Sequence, residues 1–381
     1  MKFRFWLAII LSICAAIWSR SAGCAEENSM LVSAGVTQAA QANETAQPSE
    51  TTSTGQVGKT TNTVSAETPT GAAQVRKTTD AVQIDPRLPV YQQQSTEVSG
   101  YIKAIGSDSM INLMLLWSDG FRNFYPDVKA EIEGKGSSTA PPALINGMAN
   151  FGPMSRDWKA SEIDDFENKF GYKPTTLVTS IDMLAVYVNK DCPLESLSLE
   201  QLDAIFSSTR KGGYEKEILR WGDLGLKGDW TGKPISLYGR NSASGTYQYF
   251  KDHALFGGDF KPSVAEQPGS SAVVNSISND RYGIGYSGIG YKTPNVKALA
   301  LDSGNGLVPA LPENAYNGKY PMTRPLWLSI NYNSANALDP LRHEFILYLF
   351  SRQGQRDVIK DGNLPITAAM AKKQLAKVGL E

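Results

Sequence analysis

Along most of the chain, apolar and polar positions follow one repeated order: a short apolar run, a loop of small polar residues, then apolar residues at helical spacing. Residues 98–105 alternate as a strand and run into Gly106-Ser107-Asp108-Ser109. Met110, Leu113, Met114, Trp117 and Phe121 then recur at the three-to-four spacing of one helix face. The order repeats at 128–132, where a strand leads through Gly134-Lys135-Gly136-Ser137-Ser138-Thr139 to a helix over 142–148. It repeats at 151–156, a short apolar segment ending in Ser155 and Arg156 before a charged helix over 161–170. The fourth case is residues 235–238, an apolar strand followed by Gly239-Arg240-Asn241-Ser242-Ala243-Ser244-Gly245-Thr246 and a helix holding Phe250. Alternating strands and helices predict an α/β chain, in which ligands gather at the carboxyl ends of strands.

Other segments frame these four. Residues 177–189 are a long apolar strand, long enough to leave one domain and enter another, and 321–332 read as a strand leading back. Ser198 caps a helix over 198–206, residues 270–277 form a helix with a serine-rich start, and 340–350 form a core-facing helix. Gly283-Ile284-Gly285-Tyr286-Ser287-Gly288 matches GxGxxG, but it alternates like a strand and no helix pattern begins at its glycines. A dinucleotide site is therefore not predicted there.

The first quarter of the chain differs. Residues 1–25 read as an export signal, with Lys2 and Arg4 ahead of an apolar core over 7–18 that falls short of the about 20 residues a transmembrane helix needs. Ala22-Gly23-Cys24 resembles the end of a bacterial lipoprotein signal, which makes Cys24 a lipidation candidate; Arg20 and Ser21 fit simple cleavage near Ala25 equally well. Either outcome places the mature protein outside the cytoplasm. Residues 26–96 are dominated by Thr, Ala, Gln, Ser and Glu and read as a disordered tether, because so little apolar surface cannot offset the entropy of ordering the chain.

At 381 residues the chain has room for two domains, and its formal charge of −1 excludes bulk electrostatic attraction to nucleic acid or an anionic membrane. Any anion must be held by a local site. The three cysteines imply no disulfide framework, and Cys192 reads as structural. Two histidines, His253 and His343, sit in helical contexts and offer neither a zinc cluster nor a catalytic motif, so no cofactor is expected.

The strand-loop-helix units carry the candidate chemistry. The first turn of a helix leaves backbone N–H groups unpaired at the positive end of the helix dipole. Ser244, Gly245 and Thr246 at such a terminus aim donors at one point, and Arg240 adds a charged fork suited to an oxyanion. A helix-capping role for Ser244 or Thr246 is the plain alternative.

These loops resemble those of the substrate-binding proteins of phosphate ABC importers, over residues 97–381. The most specific element is Arg240 to Thr246, similar to the family's R-x-x-x-S-G-T loop, with Gly106-Ser107-Asp108-Ser109 and Gly136-Ser137-Ser138 in the matching order. The resemblance implies a two-lobed α/β fold of the type II periplasmic-binding-protein class. Each lobe is a mixed sheet flanked by helices, and a two-strand hinge joins them. Lobe 1 would be 97–183 plus 327–381, and lobe 2 would be 184–326. Carried over residue by residue, it implies ligand binding by Ser109 and the backbone of Met110, by Ser138, and by Arg240, Ser244, Gly245 and Thr246; Ser107, Asp108, Ser137, Ser155 and Arg156, in the same loops, are further candidate ligands.

Two departures from the family pattern stand out. Ser155 and Arg156 occupy the place of an aspartate that accepts the proton of hydrogen phosphate, which leaves Arg156 as an extra arginine without a carboxylate. Ser242 stands where some members have an aspartate paired with the loop arginine. Asp108 is a substitute acceptor on this reading, or else a helix cap. The function implied is capture of inorganic phosphate or a similar tetrahedral oxyanion for a membrane permease. The protein would be a monomer that meets the membrane only through a lipid on Cys24. A tethered adhesion or signalling protein is the rival reading, and a phosphate-ester hydrolase is a weaker one.

Overall fold

Each predicted strand-loop-helix unit is present in the computed structural model, which describes residues 82–94 and 97–380; the expected signal, Cys24 and most of the expected tether lie outside the described residues. The first three units are β1 (Gly100–Gly106) with α1 (Ile111–Arg122), β2 (Val128–Gly134) with α2 (Ala140–Ile145), and β3 (Gly152–Met154) with α3 (Ala160–Phe170). Next come the long strand β4 (Thr175–Asn189), the short β5 (Ser196–Ser198) and α4 (Leu199–Phe206). The middle of the chain holds β6 (Ser236–Arg240), α5 (Gly245–Ala254), β7 (Ala265–Gln267), α6 (Ser270–Asn279) and β8 (Gly283–Gly288). It continues through β9 (Val296–Ala298), β10 (Ala300–Asp302), β11 (Leu307–Val308) and α7 (Pro312–Tyr316). The chain closes with β12 (Thr323–Ile330), α8 (Pro340–Leu349), α9 (Arg352–Lys360) and α10 (Ala368–Ala376).

Local chemistry accounts for the element starts. The Ser198 hydroxyl accepts from the Gln201 amide while the Gln201 side chain accepts from the Ser198 amide, a capping box that satisfies two orphan donors. Asp339 caps α8, Ser351 caps α9 and Thr367 caps α10. The apolar stripe read on α1 is buried in full: Met110, Leu113, Met114, Trp117 and Phe121 all pack in one core. The GxGxxG run is strand β8, enclosed between β4 and β6.

Two mixed sheets are joined through β4 and its partner β12, and among the described residues β10 pairs with β5 and β11 in a further, three-stranded sheet. In the first, β1 pairs in parallel with β2, and Ile105 and Ser107 donate to the carbonyls of Phe151 and Pro153, which places β3 on its other side. Beyond β3 lie β12 and the first half of β4, both antiparallel to their neighbours. In the second, the far half of β4 pairs with β8, which leads in parallel to β6 and β7. Strands β4 and β12 run antiparallel to each other from one core to the other, and the register slips between Leu326 and Trp327. A bulge there increases local twist and bends the strand.

The cores follow the same division. Leu177, Leu326 and Leu328 pack in the first core with α1 and α8, whereas Met183, Leu184 and Met322 pack in the second, and Ile181 touches both. Two details differ from the sequence expectation. Leu88 and Tyr91, inside the stretch read as tether, are buried in the first core, and Tyr91 donates to Glu344 at 2.5 Å. An aromatic ring with a buried carboxylate partner offsets the ordering cost that the surrounding composition argued against. Leu364, from the segment assigned to lobe 1, packs in the second core and pairs with Ile181.

Candidate functional site

The carboxyl ends of β1, β2 and β3 from one lobe and of β6 and β7 from the other meet along a single seam. Five loops deliver their side chains there. Ser109 of the first loop lies 2.9 Å from the Thr246 hydroxyl and 3.3 Å from that of Ser270, so lobe 1 touches two helix starts of lobe 2. Ser107 donates to Ser155 at 3.0 Å, and Ser137 lies 3.2 Å from the same oxygen. The Ser138 amide donates across the seam to the carbonyl of Ala243. Ser107, Ser109, Ser137, Ser155, Ser244, Thr246 and Ser270 are all buried, although each carries a polar hydroxyl.

Gly245 is glycine for a steric reason. A Cβ built on it would stand 2.4 Å from the Ser137 oxygen and 2.6 Å from that of Ser155, inside any permitted contact. Gly136 faces the same constraint from the other side: its φ is +102°, and a Cβ there would lie 2.5 Å from the Ala243 carbonyl. The lobes approach backbone to backbone at this point.

Three arginines converge on the seam, and each has a carboxylate. Arg240 donates through Nη2 to Asp108 Oδ1 at 2.6 Å and through Nη1 to Ser270 at 3.1 Å. Arg324, wholly buried on β12, donates through Nε and Nη2 to Asp182 Oδ2 on β4. It also reaches Thr246 Oγ1 and the Ser155 carbonyl. Arg156 donates to both oxygens of Glu162 on α3, to the Asp157 carbonyl and to Ser138. The seam therefore holds three guanidinium groups without net positive charge, and hydroxyl and amide dipoles make up the rest of its donor set.

Aromatic residues hold these groups in place. The Tyr286 ring stacks on Phe250 with centroids 3.9 Å apart, and its hydroxyl accepts from the Arg240 amide. The Tyr291 hydroxyl donates to the carbonyls of Asp108 and Ser109. Tyr249 lies under the Arg324 guanidinium, and burial pushes its hydroxyl up to about 12, so it stays a neutral ring in a cation–π contact.

The expected residues divide into groups. Ser107, Ser109, Ser137, Ser155, Arg240, Gly245 and Thr246 come together at the seam. Ser244 is at the seam, but its oxygen caps α5 by accepting from the Thr246 and Tyr247 amides. Ser138 meets the seam through its amide while its hydroxyl accepts from Arg156. The Met110 amide, expected to face a ligand, donates instead to the Ser107 carbonyl, and its side chain is core. Arg156 is not without a carboxylate: Glu162, six residues on, takes its fork. The second oxygen of Asp108, read as a substitute proton acceptor, accepts from the Ser270 amide and hydroxyl.

Ser270, Asp182, Arg324 and Tyr291 were not anticipated at the site. A serine-rich helix start after β7 and an arginine inside an apolar strand were the available signals; neither marks a site without knowing which strands adjoin. The histidines lie in other settings. His253 stacks on Tyr249 at the exposed face of α5, and His343 meets Glu344 on α8. Cys192 is buried, and that burial pushes its thiol up, away from reactivity. Among the described residues, no group of three or more His, Cys, Asp or Glu is placed to hold a metal.

Two mixed sheets, two shared crossover strands and a donor-rich seam between them define a two-lobed binding protein. Comparison with known proteins agrees. Residues 91–353 match the family model of the PBP superfamily domain. The phosphate-binding protein PstS of Pseudomonas aeruginosa is 50% identical over 299 residues, 78% of this chain and 92% of that relative. A Clostridium perfringens structure, described as a phosphate ABC transporter substrate-binding protein with bound phosphate, is 25% identical with a TM-score of 0.60. It aligns over 70% of this chain and 100% of its own. An ABC-type phosphate transport receptor from Vibrio cholerae shares the fold at 22% identity and a TM-score of 0.54, over 70% of this chain and 100% of that one. The chain belongs to the phosphate ABC transporter substrate-binding protein family, whose members are transport receptors and not enzymes.

Proposed function

We propose that this protein captures inorganic phosphate between its two lobes, outside the cytoplasmic membrane, and presents it to the permease of an ABC importer. The observation that carries the reading is a chain of contacts across the seam, in which Ser109 meets both Thr246 and Ser270 and Ser270 meets Arg240. The ligand set proposed is Ser109, Ser137, Ser155, Arg240, Gly245, Thr246 and Ser270. Arg324 and Arg156 hold their neighbours in place. The chain acts as a monomer, with no cofactor and no nucleic-acid partner.

A tetrahedral oxyanion suits such a donor set. Each charge-assisted hydrogen bond contributes about 1.5–3 kcal/mol, so several converging on one ion offset its dehydration. Because the donors come from both lobes, the closed arrangement binds more tightly than the open one, and ligand shifts the population toward closure. Among the described residues no helix is long and apolar enough to cross a membrane.

Thermal denaturation in the presence of phosphate, arsenate, sulfate or molybdate tests the reading. Stabilisation grows as RT ln(1 + [L]/Kd), reaching about 2.7 kcal/mol at a hundredfold excess over Kd. Phosphate and arsenate are expected to raise the transition at micromolar concentration. A protein whose melting is indifferent to all four anions is not a receptor of this kind.

A further inference from the structure

Among the described residues, Asp108 is the one carboxylate that crosses the seam to reach an arginine. It leaves β1 in lobe 1, yet every donor to its side chain belongs to lobe 2: Arg240 Nη2 at 2.6 Å, the Ser270 amide at 2.9 Å and the Ser270 hydroxyl at 3.2 Å. Helix α6 begins without a capping side chain of its own, so Asp108 supplies the missing cap from the opposite lobe. Within lobe 2, Arg240 has neutral acceptors only, the carbonyls of Gln267 and Pro268 and the Ser270 hydroxyl. Among the described residues its sole carboxylate is Asp108. Arg156 and Glu162 belong to one lobe, and Asp182 and Arg324 sit side by side on the two crossover strands, so neither of those pairs need break when the lobes part.

We propose that Asp108 is a positioning residue that couples anion capture to lobe closure. On closing, it turns the Arg240 guanidinium toward the seam and caps α6 with one carboxylate. On opening, both contacts are lost together. The inference rests on the phosphate reading for its ligand, but the latch is a property of the chain itself. It follows that Asp108 governs how long a captured anion stays. Association depends on the open form, in which Asp108 is already detached, and dissociation requires the pair to separate.

The test uses the purified full chain and its Asp108→Asn variant, which keeps shape and removes charge. Phosphate association and dissociation are followed by stopped-flow tryptophan fluorescence, and small-angle scattering reads the radius of gyration without phosphate. Asp108→Asn is expected to speed dissociation at least about tenfold, with association within about threefold of wild type, and to enlarge the phosphate-free particle. A merely structural aspartate would lower melting temperature without this split between the two rates. Asp108→Glu, which keeps the charge but moves it one methylene away from Arg240 and Ser270, is expected to speed dissociation by about threefold and serves if Asp108→Asn does not fold. Unchanged scattering, or a weakening carried only by slower association, overturns the assignment. Should the wild-type chain ignore phosphate, the receptor reading falls, and the phosphate-free scattering still decides whether Asp108 holds the lobes together.

Discussion

The loops that follow β3 and β6 each end a strand with an arginine buried at the seam, and they use it in opposite ways. Arg156 is satisfied locally by Glu162 on the helix that follows, and by the Asp157 carbonyl. Arg240 finds no carboxylate in its own lobe and takes Asp108 from the other, 132 residues away in sequence. The first pairing stiffens one lobe and holds Ser138. The second exists only while two lobes touch, so it can report and control closure. A buried arginine at a strand end is therefore not evidence of a ligand site by itself. What distinguishes the two is whether the partner travels with it.

Four substitutions sharpen or break that contrast. The largest effect is expected at Arg324, whose partner Asp182 is also buried and whose pairing spans the crossover strands. Arg324→Ala leaves an uncompensated carboxylate and should cost about 3–5 kcal/mol of stability in urea denaturation. Loss of less than 1 kcal/mol would mean that the pair is not fixed as described. Arg240→Ala should instead act on the ligand, weakening phosphate by about 2–4 kcal/mol in calorimetric titration. Unchanged affinity would take Arg240 out of the proposed ligand set. Gly245→Ala should weaken phosphate by about 1–3 kcal/mol, the range for overpacking, because its methyl group would meet Ser137 and Ser155 across the seam. Its effect should fall on closure, and an unfolded variant would argue for a wholly structural glycine. The smallest change in affinity is expected from Arg156→Ala, below about 1 kcal/mol, since its fork is already taken by Glu162. A loss as large as that for Arg240→Ala would erase the distinction between the two loops.

The same contrast explains what could be read in advance. Residues 177–189 were legible as a crossing strand because an uninterrupted apolar run of that length suits a strand buried along most of its length. Ser198 was legible as a cap because the cap and its partner Gln201 lie three residues apart. Arg240 to Thr246 were legible because strand end, small-residue loop and helix start are local features. Arg156 was misread as an arginine lacking a carboxylate, although Glu162 lay within view: a six-residue separation pairs them only when loop and helix fold back. Leu88 and Tyr91 were placed in a tether because composition averages over a window, whereas burial is decided one side chain at a time.

The order of strands, loops and helices was set by the chain itself, since apolar period, capping residues and small-residue turns act over a few positions. Where the loops point was settled only by the assembled fold. That Asp108 reaches Arg240, that Ser270 meets Ser109 and that Arg324 reaches Thr246 all depend on contacts between residues 78 to 161 positions apart. Local propensities act along the chain and cannot encode such distances; the packing of two cores around two shared strands does.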